Sequence, residues 1–102
     1  MKNVRRRYLL FKLHQDGPKV EEKQLNLAIW KSLLSLYGEI QAADSKIYII
    51  EFDESLGEGI LQCNQPSLQQ VIAAASVIGT INETTVSFEP RKTSGTIKSL
   101  KR

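Results

Sequence analysis

The sequence predicts a single α+β domain in which a four-stranded antiparallel sheet carries two helices on one face. Three observations lead to this prediction. The chain has 102 residues, which is the usual size of one domain. Short β-rich segments and two longer helical segments follow one another in the order β-α-β-β-α-β. The hydrophobic and charged fractions, 41% and 25%, are those of an ordinary globular protein.

The first predicted strand covers residues 8–13, where YLLFKL places Leu9, Phe11 and Leu13 on one face. The segment QDGP that follows has the composition of a turn. A helix is expected over residues 20–37, with Gly38 as its end. Its expected core stripe has helical spacing and consists of Leu25, Ile29, Leu33 and Leu36.

Two further strands are expected over residues 46–52 and 57–64, joined as a hairpin by the turn-forming segment DESLG. A second helix is expected to start at Pro66 or Ser67 and to end at Gly79. Its expected core stripe consists of Leu68, Val71, Ile72, Ala75 and Ile78. The alternating segment TTVSFEP, residues 84–90, is the fourth predicted strand.

This order of elements is the split βαβ arrangement of ferredoxin-like and RRM-like sandwiches. Right-handed crossovers favour the strand order 4-1-3-2 with both helices on one face. The first and last strands are then antiparallel neighbours. The start of the first strand is therefore expected beside the end of the last one.

Basic residues are concentrated at the two ends of the chain. Ten of the 14 lysines and arginines lie in residues 1–14 and 90–102, where there is no acidic residue, and residues 15–89 carry all 11 acidic ones. Converging basic segments form the kind of surface that neutralises phosphates. A solvated fringe that only aids solubility is the alternative. The expected RNA-binding residues are Arg5, Arg6, Arg7, Arg91, Lys92, Lys98, Lys101 and Arg102.

The way in which RNA would be bound also follows from the strands. RNA-recognition domains stack bases on aromatic residues of two sheet strands. The third predicted strand, GEGILQCN, has no aromatic residue, and Tyr8 is the one plausible stacking ring on the first strand. Base readout across the sheet is therefore disfavoured, and recognition of the backbone and shape of a folded RNA is expected instead.

Residues 59–82 carry no charged side chain, and this segment includes the second helix. Neutral surfaces of this kind are typical of protein interfaces, although small neutral helices also pack well inside a domain. The first helix has an unusually wide apolar arc, which also indicates a protein interface. The residues expected at a protein interface are Leu10, Trp30, Leu34, Ala73, Ala74 and Val77.

No catalytic or metal-binding set is predicted for the chain. His14 is expected to be a surface residue, and Cys63 a buried core thiol. Asp53, Glu54 and Glu58 are interpreted as solvated turn residues. No segment approaches the length of a membrane span or has the pattern of a secretory signal. A cytoplasmic location is expected from the single cysteine.

Three segments resemble a known family: RRRYLLFKL at the start, FDESLGEGILQCN in the middle and SGTIKSLKR at the end. Together they are similar to protein component 2 of archaeal ribonuclease P, whose eukaryotic counterpart is a subunit shared by ribonucleases P and MRP. The similarity covers nearly the whole chain, as one domain with basic extensions at residues 1–7 and 94–102. One departure is Gln62, where family members often carry an arginine, so no RNA contact is expected from it.

The resemblance implies a non-catalytic subunit that supports the ribonuclease P RNA during removal of the 5′ leader from precursor tRNA. Its implied partners are this RNA, precursor tRNA through the complex, and ribonuclease P protein component 3, in a heterodimer or a 2:2 heterotetramer. The chain itself is expected to bind no cofactor, and the Mg²⁺ ions are expected at the RNA. Whether the isolated chain has any enzymatic activity stays open.

Two other function classes are alternatives to this one. A ferredoxin-like protein-interaction or ligand-sensing domain would have a stable partner or self-dimer and no salt-dependent affinity for RNA. A small hydrolase of the acylphosphatase type would need an arginine in a phosphate loop after the first strand. The corresponding segment QDGPKVEEK contains no arginine.

Overall fold

Five antiparallel strands form one sheet in the computed structural model, which describes residues 5–101. The predicted α+β class is confirmed. The strands are β1 (Arg6–Asp16), β2 (Tyr48–Asp53), β3 (Glu58–Asn64), β4 (Thr80–Ile81) and β5 (Thr84–Ser94). The helices are α1 (Glu22–Ser45), α2 (Leu68–Ser76) and α3 (Ile97–Leu100).

The sheet has five strands in the order β2-β3-β1-β5-β4, whereas the sequence predicted four strands in the order 4-1-3-2. The difference is β4, a two-residue strand that pairs with the start of β5 at the sheet edge. The two strands are joined through Asn82, whose φ of 54° is a left-handed conformation that asparagine tolerates. This tight turn brings the chain back against β5 after α2 has ended.

Helix α1 begins with a capping box in which the backbone N–H of Glu21 donates to the Gln24 side chain at 2.9 Å. Gly38 interrupts the helix with a φ of 86°, close to the predicted end. Helical structure then resumes as far as Ser45, because this last segment buries Ala42 and Ser45 completely. Leu36, predicted to be a core residue, is 49% exposed just before this break.

The inner face of the sheet, which α1 and α2 cover, carries the hydrophobic core. Leu9, Phe11 and Leu13 of β1 are buried there, as their alternation predicted. The Phe11 ring lies between Phe52 and Phe88, at centroid distances of 6.0 and 4.8 Å. Opposite Phe11 stands a glycine of β3, Gly59, where a Cβ atom would lie only 2.7 Å from the ring. The absence of a side chain at this position leaves room for the aromatic stack.

The outer face of the sheet is partly covered by α3, so the prediction that helices pack on one face alone was wrong. Leu10 and Ile60 are paired across β1 and β3 and point away from the core. Leu100 of α3 lies beside both of them and is 4% exposed. The apolar pair on this face is what α3 covers. Lys101 then reaches Glu51 of β2, with Nζ 2.9 Å from Oε1.

Candidate nucleic-acid interface

The start of β1 lies beside the end of β5, as predicted. The residues that pair across these two strands differ from the predicted ones. Tyr8 pairs with Ser94 and Leu10 pairs with Lys92. A β-bulge at Arg91 separates these pairs from the rest of the ladder. Arg91 therefore lies well along β5 rather than beside the first arginines, which corrects the predicted arrangement of the basic patch.

The three consecutive arginines line a cleft of about 420 Å³ between β1 and the segment that follows β5. We call it the arginine cleft. The backbone N–H of Gln65 donates to the carbonyl of Arg5 at 2.7 Å, and Arg7 Nη2 donates to Thr93 Oγ1 at 3.5 Å. No carboxylate is among the described residues that line the cleft, which are Arg5, Arg6, Arg7, Gln65, Gly95 and Thr96.

Two other predicted RNA-binding residues are engaged in ion pairs within the domain. The guanidinium of Arg91 lies 3.7 Å from a carboxylate oxygen of Glu58 and 3.6 Å from one of Glu89. Lys101 is paired with Glu51, as described above. These contacts offset the charge that Arg91 and Lys101 would offer to a phosphate.

The remaining predicted basic residues lie near α3 or beyond the described chain. Lys92 Nζ donates to the backbone carbonyl of Ser99 at 3.0 Å. Lys98 is exposed on α3. Arg102 lies outside the described residues.

His14 lies on the surface, as predicted, and the fold gives it a partner that the sequence order did not show. Its Nε2 is 2.6 Å from Oε1 of Glu89 on the neighbouring strand β5. The hydrogen bond from His14 is the main reason why the pKa of Glu89 lies below its ordinary value of 4.5, and the charge of Arg91 acts in the same direction. The three side chains form an exposed cross-strand cluster.

The remaining candidate groups have structural roles. Burial raises the pKa of Cys63 to about 11, against the opposing charge of Arg7, so this thiol is protonated at neutral pH. Asp53 Oδ1 accepts hydrogen bonds from the backbone of Ser55 and Leu56 at 2.9 and 3.0 Å, which closes the β2–β3 turn. Between residues 5 and 101, no group of three or more His, Cys, Asp or Glu side chains could hold a metal ion.

The predicted protein-interface residues fall into three environments. Val77 is 65% exposed and Ala73 is partly exposed, whereas Ala74 has no exposed surface. Ala74 packs against α1, where its carbonyl accepts a hydrogen bond from Ser32 Oγ at 2.7 Å, so it is not available to a partner. Trp30, Leu34 and Leu10 are only partly exposed, the first two because they pack against the core.

Sequence reasoning missed several exposed apolar residues and one feature of the outer face. Leu27, Leu36 and Ile40 of α1 are exposed by 49% or more. On the outer face, Gln62 of β3 pairs with Tyr8 on one side and with Tyr48 on the other. Tyr48 could not be placed beside Tyr8 from the sequence, because that position depends on the register of two strand pairs.

In the described part of the chain, no helix is both long enough and apolar enough to cross a membrane.

The chain matches a family model described as the Rpp14/Pop5 family over residues 7–102. It is 32% identical over 98 residues to ribonuclease P protein component 2 of Pyrococcus furiosus, which covers 96% of this chain and 81% of the relative. The protein of the same name from Archaeoglobus fulgidus is 34% identical over 99 residues, with 96% and 86% covered.

Among solved structures, a chain in the cryo-EM structure of yeast ribonuclease MRP is similar to this one with a TM-score of 0.73. The match covers 94% of this chain and 78% of that chain at 10% identity, so it shows a shared fold.

Proposed function

Because this chain belongs to the Rpp14/Pop5 family, we propose that it is a non-catalytic protein subunit of ribonuclease P. In this role it supports the RNA that removes 5′ leaders from precursor tRNA. The observation that carries the proposal is the match over residues 7–102, which includes nearly every element of the fold. The relatives from two archaea that bear the name ribonuclease P protein component 2 support the same role.

The arginine cleft is the surface that we assign to the RNA. Arg5 and Arg6 are exposed and Arg7 is half-buried, and all three residues line the same open cleft. A cluster of arginines without a neighbouring carboxylate attracts phosphates and releases counterions when they bind. Arg91 and Lys101 hold parts of the domain together instead, and Lys98 is the exposed residue that extends the basic surface.

Ribonuclease P protein component 3 is the protein partner that we propose, in a heterodimer or a 2:2 heterotetramer. The helical layer supports this because Val77 is 65% exposed and Leu27 is 51% exposed. Apolar side chains exposed on a helical layer are suited to an interface with a second protein. The Mg²⁺ ions of the reaction would then be held by the RNA. A ferredoxin-like core with β4 added at one edge is the finer description of the fold that we favour.

The test is reconstitution of precursor-tRNA cleavage from the ribonuclease P RNA and its protein subunits, with and without this chain. We expect the chain to increase cleavage at low magnesium concentration. Neutralising all three residues of the cleft, Arg5→Gln, Arg6→Gln and Arg7→Gln, should weaken RNA binding. The logarithm of the RNA-binding constant falls as the logarithm of the salt concentration rises. The triple variant should make this slope less negative by roughly 2 to 3, because each lost phosphate contact contributes about 0.9.

Arg91→Gln is the matched control, since it also removes one guanidinium but from an ion-paired position. We expect it to leave the salt slope of RNA binding unchanged. If cleavage is the same with and without this chain, the ribonuclease P role is wrong. If the triple variant and Arg91→Gln change the slope equally per charge, the RNA contact is not localised at the arginine cleft.

A further inference from the structure

Two tyrosines and a glutamine form a continuous row across three strands of the outer face. Tyr8 of β1 pairs with Gln62 of β3, and Gln62 pairs with Tyr48 of β2. The flanking residues Leu9, Leu61 and Ile49 are all buried in the core, so alternation directs the row to the opposite side. We call these three residues the tyrosine row. Its two tyrosines are about 10 Å apart at their Cα atoms, which is twice the spacing of neighbouring strands.

The row is open to solvent despite the presence of α3. Tyr48 is 60% exposed, and Tyr8 and Gln62 are partly exposed. Helix α3 covers the next pair along the strands, where Leu100 lies beside Leu10 and Ile60. The tyrosine row therefore borders α3 on one side and the end of the sheet on the other.

Positive charge lies at the end of the sheet that the row borders. Arg6 pairs with Asn64, two residues beyond the Tyr8–Gln62 pair and on the same face, and it also lines the arginine cleft. The carboxylates of Glu58 and Glu89 lie beyond the pair that α3 covers, opposite Lys12 on either side, and Glu51 lies in line with that pair, opposite Ile60. Each of the three carboxylates is paired with a basic side chain. Exposed aromatic rings are thus placed beside the end of the molecule that attracts phosphates.

We propose that the tyrosine row binds an unpaired segment of RNA. Bases stack on exposed aromatic rings without regard to sequence, while neighbouring arginines bind the backbone. Tyr8 and Tyr48 would each stack one base, and the Gln62 amide between them would donate to and accept from a base edge. This proposal departs from the expectation, drawn from the sequence, that the sheet makes no base contacts and that Gln62 makes no RNA contact, because the strand register places Tyr48 of β2 beside Gln62. Arg6 would hold the phosphate that enters from the arginine cleft. This site deepens the RNA-binding role proposed above and rests on it.

Charge favours RNA over a protein at this position. A protein that used the tyrosine row would also have to cover Arg6 and the adjoining cleft, and would need carboxylates to match them. A single RNA strand supplies stacking faces and negative charge together, in the arrangement that the row and the cleft present. The exposed apolar residues of the helical layer lie on the opposite side of the sheet, where the protein partner is proposed.

The test uses the full chain with a fluorescently labelled eight-nucleotide oligouridine and, separately, an RNA hairpin without unpaired ends. Tyr48→Leu should weaken oligouridine binding between about fivefold and a hundredfold, the effect of losing one base–aromatic stack. Tyr48→Phe should bind as the wild type does, because the ring is kept. The salt slope should be the same in all three proteins, whereas Arg6→Gln should reduce it by about 0.7, the contribution of one contact to a single strand.

Ile40→Ala is the matched control, since Ile40 of α1 is 78% exposed and lies on the other side of the sheet. Unchanged oligouridine affinity in Tyr48→Leu would overturn the assignment, as would a Tyr48→Leu variant that loses a protein partner but keeps its RNA affinity. A chain that binds the hairpin and not oligouridine would overturn this site while leaving the ribonuclease P role intact. That role fails separately, in the cleavage assay.

Discussion

The two faces of the sheet differ in how their side chains are organised. The inner face is uniformly apolar, with Leu9, Phe11 and Leu13 buried under two helices. The outer face is divided into an apolar pair under α3, a set of ion pairs on one side of it and arginines with tyrosines on the other. Apolar side chains are needed throughout the inner face because helices cover it. The outer face is largely exposed, so its regions can differ in polarity and charge and can bind different groups.

The inner face should show the largest effect on stability when it is altered. Phe11→Ala removes a fully buried ring that stacks against two others, and we expect a loss of about 3–5 kcal/mol in the free energy of unfolding. Urea denaturation followed by circular dichroism measures it. Leu27→Ala, on the exposed side of α1, should change stability by less than about 0.5 kcal/mol. Similar losses in the two variants would contradict the assignment of the core.

The contact between α3 and the outer face should contribute less to the free energy of unfolding than the Phe11 stack does. Leu100→Ala removes a buried side chain that packs on Leu10 and Ile60, and about 2 kcal/mol is expected because this small cluster can collapse on the space. Hydrogen exchange should show faster exchange in α3 and unchanged protection in the core of β1. Equal acceleration in both elements would mean that α3 is part of the main core.

The ion pair of Lys101 with Glu51 should be weaker still, because both side chains are more than half exposed. A double-mutant cycle with Lys101→Met and Glu51→Gln is expected to give a coupling free energy of about 0.2–1 kcal/mol. The coupling should fall further when salt is added. A value above about 2 kcal/mol would show that the pair is shielded from solvent and that α3 is held mainly by charge.

The smallest expected effect is electrostatic and concerns Glu89. Its pKa lies below 4.5 when folded, so the contacts with His14 and Arg91 add stability above about pH 4.5. That stability is lost as the pH falls through the folded-state pKa. His14→Gln should raise the pKa of Glu89, and more than Arg91→Gln does, since the His14 hydrogen bond is the larger cause. Carbon-13 NMR titration of the carboxyl group measures both, and the reverse order would contradict this account.

The inner face could be predicted from sequence because alternation along a strand is a local property. The spacing of Leu9, Phe11 and Leu13 alone assigns them to it, whichever strands β1 pairs with. The meeting of β1 with β5 was also predictable, since it follows from the order of elements. The sequence therefore placed the two basic ends near each other, but it did not show that Arg91 would be ion-paired.

The outer face could not be predicted in the same way because its features depend on register. Tyr48 joins Tyr8 only through two successive strand pairings, and each can shift by one residue without a change in composition. Helix α3 was missed because four residues give little periodic signal. Strand β4 was missed for the same reason, although Asn82 was a visible sign of a tight turn.

The bulge in β5 adds one residue to the strand without changing which way the following residues face. Pro90 pairs with Phe11 and Lys92 pairs with Leu10, so Arg91 is the inserted residue between them. A chain that lacked Arg91 could keep both pairs as a regular ladder, with Lys92 still beside Leu10. The insertion therefore supplies one more guanidinium to the outer face, and that group is held close to Glu58 and Glu89. A deletion of Arg91 would remove these ion pairs and the local bend of the strand while leaving the two faces of the sheet as they are.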